Sequence, residues 1–407
     1  MKDTSAKSFT RFRSSMPLIG VFLVCLILSP YLAAQVSYTV TDVGRVNDLN
    51  DTVSGAAAIN NGGAVVGQAL LAGEPDRAFL WIRGTIFDLG AFGGPGGSSH
   101  AINQGRQVVG AADTANGFEN AFLWEKGTML PLGTLGGDSS EANGINARGE
   151  IVGFAATTTP DPTFTIGPQE NHAFLLAGGA MKDLGTLGGP NSIAIDISDD
   201  GLIVGWSQLN FTLGDFGIPD LNAATWDNGA ITLLHGLGGP ITLAIAVNNQ
   251  GVAVGQSFLA DGSTFHAVMW QNGILSDLKT LPDDFASLAN GINSKGQVVG
   301  TSFSAAFSPR AFVWQNGAMT DLNTLIPAGS GWVLIAANGI NDMGQIVGNG
   351  FLSGELHAFL LTPSFGGGRT GSEKTSSPIS LSNTTRQWLI WGKSGLLKHK
   401  SGWFKSD

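Results

Sequence analysis

The chain has 407 residues, among them 59 Gly and 16 Pro, with 43% hydrophobic residues, 13% charged residues and a formal net charge of −10. That apolar content can offset ordering entropy, which excludes a disordered acidic chain, and the absence of a Gly-X-Y register excludes collagen. Abundant glycine with few helix-favouring Lys, Glu and Arg points to many short strands joined by tight turns.

At the N-terminal end, Lys2, Lys7, Arg11 and Arg13 precede an apolar run from Leu18 to Leu28, followed by Ser29, Pro30, Ala33 and Ala34. This pattern predicts a secretory signal peptide over 1–34, cleaved after Ala34, and places the protein outside the cell or at its surface. The run is about half of what spans a bilayer, so no transmembrane helix is expected in the mature chain. Cys25, the only cysteine, falls inside the run. The mature protein is therefore expected to lack disulfides and thiolate chemistry.

From 36 to 363 one unit recurs. AINNGGAVVG at 58–67 returns as AINQGRQVVG (101–110), GINARGEIVG (144–153), DISDDGLIVG (196–205), AVNNQGVAVG (246–255), GINSKGQVVG (291–300) and GINDMGQIVG (339–348). A second block reads RAFLW at 77, NAFLW at 120, HAFLL at 172, NAATW at 222, HAVMW at 266, RAFVW at 310 and HAFLL at 357. A third, typified by MKDLGTLGG at 181–189, follows six of these. Residues 60, 103, 146, 198, 248, 293 and 341 occupy one slot, so the period is 43 to 52 residues.

Each unit reads as four strands. The first ends at Ile-Asn, and a turn follows with glycine three places on in six units; Arg106 is the exception. Such a turn needs positive φ there, which glycine supplies, while Asn or Asp favours its start. The QVVG run is the second strand and HAFLW the third; a WDNG-type hairpin then leads to a fourth strand ending in Asp-Leu-Gly. Four strands in about 45 residues is the length of a propeller blade. The seventh unit stops at HAFLLTP and lacks its fourth strand, but SYTVTDVG at 37–44 carries the matching Asp-Val-Gly. The expectation is an all-β, seven-bladed β-propeller over 36–363, closed by the N-terminal strand joining the last blade.

HAFLW, DLGTLGG, GIN and QVVG in this order resemble the extracellular HAF-repeat family of bacterial secreted proteins, across all seven units. The full triplet stands at His172-Ala173-Phe174 and His357-Ala358-Phe359, while Ala224 and Val268 replace the Phe. The resemblance implies secretion and a repeat architecture, and no particular reaction. The Pro-Glu-Pro sorting motif of some members is absent from the C-terminal end.

An Asp stands eleven residues after the first HAF position in four of the five units where that position holds Arg or His: Arg77 with Asp88, His172 with Asp183, His266 with Asp277, Arg310 with Asp321. The closing strand offers Asp42 to His357, whereas the Asn120 and Asn222 units carry Pro131 and Leu233. Across a hairpin with a two-residue loop these positions lie within side-chain reach, predicting a structural clasp between third and fourth strands. The three histidines sit one per unit, so no metal site is expected of them. Asp196, Ser198, Asp200 and Gly201 imitate the start of a calcium loop, but Ser207 stands where the bidentate acid belongs. Trp81, Trp124, Trp226, Trp270 and Trp314 share one slot and read as packing between units. His100 and His235 break the pattern with no acid fixed beside either. No nucleophile elbow, phosphate loop or zinc spacing is present, and no cofactor is expected.

From the QVVG glycine to the first HAF position the separations are 10, 10, 19, 17, 11, 10 and 9. Units three and four therefore carry expanded loops, with Asp161, Phe164, Glu170, Asn210, Phe211, Asp215, Phe216 and Asp220 as candidate ligand-binding residues. In a four-stranded meander all such loops share one face. Residues 36–363 hold 10 Lys or Arg against 28 Asp or Glu, a net charge of −18 that disfavours nucleic acid. Residues 364–407 read as a Gly/Ser-rich linker and a disordered basic tail containing Trp388, Trp391 and Trp403. The sequence thus leads to a secreted, monomeric, non-enzymatic propeller binding an extracellular glycan, peptide or matrix component through its long-loop face. The alternatives are a lyase or hydrolase with its site at the central channel mouth, and a purely structural envelope or matrix protein.

Overall fold

The computed structural model describes residues 36–44, 52–71, 76–161, 163, 167–213 and 219–364. The signal-peptide and C-terminal-tail expectations lie outside these residues, as do Phe164, Asp215 and Phe216. Among the described residues the structure is all-β, with a single 3-10 turn at Leu322–Thr324. None of the described helices is long and apolar enough to cross a membrane.

Each repeat folds as an antiparallel meander. In the first, Thr52–Ile59, Val65–Leu71, Arg77–Ile82 and Thr85–Asp88 pair in sequence order. Among the described residues there are five four-stranded sheets and one eight-stranded sheet. The eight-stranded one is two such meanders joined by a single parallel pairing, Leu221 with Ile241. In the last sheet Ser37–Asp42 pairs antiparallel with Glu355–Ser364, from Ser37 opposite Ser364 to Asp42 opposite Phe359.

The turn between first and second strands is the same throughout. Asn60 N–H donates to Ala64 O (3.1 Å) and Gly63 N–H to Asn60 O (3.0 Å), with Gly63 at φ +76°. In the second unit Arg106 takes this position at φ +61°, a conformation that costs an L-residue about 1–2 kcal/mol. The Asn that opens the turn bonds twice. Its Oδ1 accepts the N–H four residues on, as from Ala64 to Asn60 (3.0 Å) and from Gln107 to Asn103 (3.1 Å). Its Nδ2 donates to the carbonyl of the equivalent residue in the next unit: Asn60 to Asn103, Asn103 to Asn146, Asn146 to Ser198, Asn248 to Asn293, Asn293 to Asn341, and Asn341 to Asn60. Ser198 retains only the bond within its own turn, from Leu202 N–H (3.0 Å). One residue along, Asp199 and Asn249 exchange two hydrogen bonds of 2.9 and 2.7 Å; Asp342 and Asn61 also exchange two, beside an intact Asn341-to-Asn60 bond.

Apolar clusters lie between consecutive sheets. Val66, Leu80 and Leu89 pack on Ile102, Val108 and Phe122 of the next unit. Val347, Ala358 and Leu360 of the last unit pack on Val65, Phe79 and Trp81 of the first. The HAF triplet supplies much of this core: Phe79, Phe122, Phe174, Phe312 and Phe359 are all fully buried, each worth about 1.5–3 kcal/mol of transfer free energy. Trp81, Trp226 and Trp270 are buried in the same clusters, and Trp124 and Trp314 pack at their edges.

The QVVG glycine answers a steric constraint. Each first strand carries a bulge, seen as register shifts such as Ala56/Ala58, Ser99/Ala101 and Ala194/Asp196. The bulge turns a carbonyl onto the second strand, so a Cβ on Gly67, Gly110, Gly153, Gly205, Gly255, Gly300 or Gly348 would meet that oxygen at 1.9–2.0 Å. Gly205→Ala is therefore expected to destabilise by about 3 kcal/mol or more in chemical denaturation. Gly167→Ala, with open space around its Cβ, should stay within about 0.5 kcal/mol of the parent. Asn103→Ala leaves the Gln107 N–H without its acceptor and removes one of the two donors to the Asn146 carbonyl, which keeps the Gly149 N–H; it is expected to cost about 1–3 kcal/mol, and Asn103→Ser about half as much, because Ser keeps the bond within the turn.

Candidate functional site

The HAF hairpins have two-residue loops with both residues at positive φ, such as Arg83 (+48°) and Gly84 (+91°). That register sets Asp88 opposite Phe79, Asp183 opposite Phe174, Asp277 opposite Val268 and Asp321 opposite Phe312, and the N-terminal strand, joined by no hairpin, sets Asp42 opposite Phe359 in the same way. The first HAF residue lies diagonally across on the same face. The nitrogen-to-carboxylate distances are 3.4 Å for Arg77–Asp88, 2.8 Å for His172–Asp183, 3.0 Å for His266–Asp277, 3.5 Å for Arg310–Asp321 and 3.1 Å for His357–Asp42. Arg310 has a nearer partner, Asp284, at 2.8 Å.

Each of these aspartates has a second function invisible in the spacing. One carboxylate oxygen accepts the N–H two residues on, from Gly90, Gly185, Lys279, Asn323 and Gly44. The carboxylate thus turns the chain out of the fourth strand while holding the third. Burial disfavours the ionised form of Asp183, but hydrogen bonds from His172 and the Gly185 N–H outweigh it and hold its pKa below the usual range. Asp277 is lowered likewise, with Lys279 and His266 overcoming its burial.

The described parts of the expanded segments in units three and four are strand extensions. The strands Ile151–Pro160 and Gln169–Ala177 pair regularly to Ala156 opposite Asn171 and, after an irregular stretch, again at Pro160 opposite Gln169; Ile203–Leu213 and Pro219–Asp227 pair to Gln208 opposite Leu221 and again at Leu213 opposite Pro219. Glu170, Asn210, Phe211 and Asp220 therefore lie on strands, where the sequence placed them at loop tips. Phe211 is 55% and Leu209 41% exposed. Glu170 lies 3.9 Å from His172 Nε2, and Asp220 is exposed.

Asp161 is interior, at 1% exposure. One of its oxygens accepts Thr163 N–H and Oγ1–H, and the other accepts Asn191 Nδ2 at 2.9 Å. Asn191, fully buried, also donates to Gln208 Oε1 (3.1 Å) and accepts Asn171 N–H (2.9 Å). These contacts tie the two extensions together, and Asp161 anchors rather than faces a ligand. Asn191 and Gln208 belong to no motif of the repeat; in the sequence they differ from their sisters only in that Ser139 and Ala156 stand in their slots in unit three.

Among the described residues no group of three His, Cys, Asp or Glu is placed to hold a metal ion. Asp196 accepts the N–H groups of Ile197 and Val247 at 2.9 Å each, so its carboxylate joins neighbouring units. The His235 carbonyl accepts Trp270 Nε1–H at 2.9 Å. His100 does have an acid beside it: Glu141 Oε1 of the next unit is 3.4 Å from Nδ1, and Ser98 Oγ is 2.9 Å from Nε2.

No family model matches the sequence, and no curated protein does. Among solved structures, TolB from Acinetobacter baumannii aligns at 12% identity over 79% of this chain and 65% of its own, with a TM-score of 0.41. A putative TolB from Agrobacterium tumefaciens aligns at 11% over 81% and 98%, also at 0.41. Pyrococcus horikoshii acylaminoacyl peptidase aligns at 11% over 77% and 52%, at 0.45.

Because both pKa values are depressed, the stability contributed by Asp183 and Asp277 is fully present above the unfolded value near pH 4 and is lost as pH falls through the folded value. The melting temperature is expected to drop as pH is lowered from about 5 to below 4, and Asp183→Asn with Asp277→Asn together should flatten that dependence. A slope unchanged in the double variant would refute the attribution.

Proposed function

We propose that the repeats close into a seven-bladed β-propeller that acts outside the cell as a recognition module. Support for the ring comes from the Asn hydrogen bonds running from unit to unit and returning from Asn341 to Asn60, and from the apolar cluster between last and first units. The pairing of Ser37–Asp42 with Glu355–Ser364 supplies the last sheet's fourth strand, and a closed ring leaves no free edge for aggregation. Support for export comes from the sequence of residues 1–34 and the resemblance to secreted HAF-repeat proteins.

The observation that carries the binding reading is the pair of extended hairpins in units three and four, locked together at their base by Asn191 and presenting Phe211 and Leu209 to solvent. A connection between strands two and three that merely spanned a gap would need neither the buried polar tie nor an exposed aromatic. Aromatic faces stack on sugar rings and on apolar peptide side chains, and the net charge of −18 over residues 36–363 favours a neutral or cationic partner over a polyanion. The ligand class is thus an uncharged glycan or a cationic peptide segment of the extracellular matrix.

Glycan and peptide arrays probed with the full chain test this. Binding to neutral glycans or basic peptides is expected, with Phe211→Ala weakening it about tenfold, in line with loss of one stacking contact. Equal binding by the variant, or selective binding of polyanions, would remove the basis of the proposal.

A further inference from the structure

The first strands of the units share two slots whose occupants can be compared within the chain. The slot before the bulge holds Gly55, Ser98, Glu141, Ile193, Leu243, Leu288 and Ala336; the bulge itself holds Ala57, His100, Asn143, Ile195, Ile245, Asn290 and Asn338. At the bulge, Asn is a structural residue: Asn143, Asn290 and Asn338 donate to the carbonyls of Ala194, Ala337 and Ala56 in the following units, at 3.0, 3.1 and 2.8 Å. His100 makes the same bond, its Nδ1 lying 3.1 Å from Ala142 O. Asn would suffice there, and the histidine adds a second nitrogen.

That bond fixes the tautomer. A carbonyl oxygen only accepts, so Nδ1 carries the proton and the Nε2 lone pair of the neutral ring is free to accept. The atom on Nε2 is Ser98 Oγ, at 2.9 Å, which therefore donates its proton to the imidazole. Glu141 Oε1, 3.4 Å from Nδ1, stands where it stabilises the imidazolium that forms if the proton crosses. Glu141 is 7% and Ser98 3% exposed, and the His100 side chain retains 20%. Burying a carboxylate in a slot that five sister units fill with Gly, Ala, Ile or Leu works against stability. Local departures from a repeat that carry such a cost concentrate where a protein does chemistry.

We propose that Ser98, His100 and Glu141 form a nucleophile, general base and orienting acid that cleave acyl esters. This adds a reaction to the recognition role and does not depend on the extended hairpins. Ser98 Oγ attacks the ester carbonyl as His100 Nε2 takes the hydroxyl proton. The tetrahedral intermediate collapses with the C–O bond to the alcohol breaking, and His100 returns the proton to the departing alkoxide. Water, deprotonated by His100, then attacks acyl-Ser98; the acyl C–Oγ bond breaks, His100 returns the proton to Ser98 Oγ, and the carboxylic acid leaves.

The test is covalent labelling of the full chain with a fluorophosphonate probe, in which an Oγ–P bond forms, the P–F bond breaks and His100 takes the proton. Mass spectrometry is expected to find one adduct, on Ser98, with a labelling rate that rises with pH to a plateau as the imidazole loses its proton. Ser98→Ala should remove the adduct. His100→Asn reproduces the residue of units three, six and seven, so its melting temperature should match the parent while labelling slows at least about 100-fold. Glu141→Gln should slow it about tenfold and shift the pH at which the plateau begins, a change that a merely structural role would not produce. No adduct on Ser98 in the parent, or parent-rate labelling in a folded His100→Asn variant, overturns the proposal.

Discussion

The buried asparagine at the end of each first strand is the interaction on which the rest of the structure depends. Its oxygen closes the turn beneath it, and its amide nitrogen crosses to the next unit's carbonyl. One side chain thereby couples local turn geometry to the alignment of neighbouring sheets. Asn is suited because it carries a donor and an acceptor on a short stem; aspartate would lack the donor. Ser198 supplies the counter-example: the turn survives without the amide, and bonds of Asp199 with Asn249 and of Asp196 with Val247 still join the two units.

A second constraint follows from placing first strands so close together. The bulge lets each one bend, and the carbonyl it displaces leaves room for nothing larger than glycine on the adjoining strand. The same bulge presents one side chain to the next unit, as Asn in three units and His in one. In that unit the structural device supplies the orientation that a catalytic base requires: the bond that holds the ring also fixes its tautomer. Structure and chemistry share one hydrogen bond, and for that reason a substitution by Asn separates them.

Much of the architecture was legible because each unit must solve the same packing problem with local means. Strand order, two-residue hairpins and turn glycines are all set by residues a few positions apart, and the sevenfold recurrence of GIN, QVVG and HAFLW made the pattern visible. The pairing of Asp183 with His172 was readable from a constant spacing of eleven. The preference of Arg310 for Asp284 was not, because Asp284 stands at the start of the first strand and reaches Arg310 across the intervening second strand, a pairing no hairpin spacing marks. The expanded segments were legible in length but not in form, since whether Phe211 sits on a loop or a strand depends on backbone pairing beyond Gln208.

The sequence by itself determined the repeat, its strands and turns, the acidic character of residues 36–363 and the residues that pair across each hairpin, because those contacts are local and hydrophobic periodicity encodes them. Only the tertiary structure decided which slots face a neighbour. Asp161 turned inward to Asn191, and Ser98, His100 and Glu141 came together, because adjacent first strands lie side by side although Glu141 stands 41 residues from His100 in the chain. No period marks such a meeting; it arises from the spacing of sheets and the bend at the bulge.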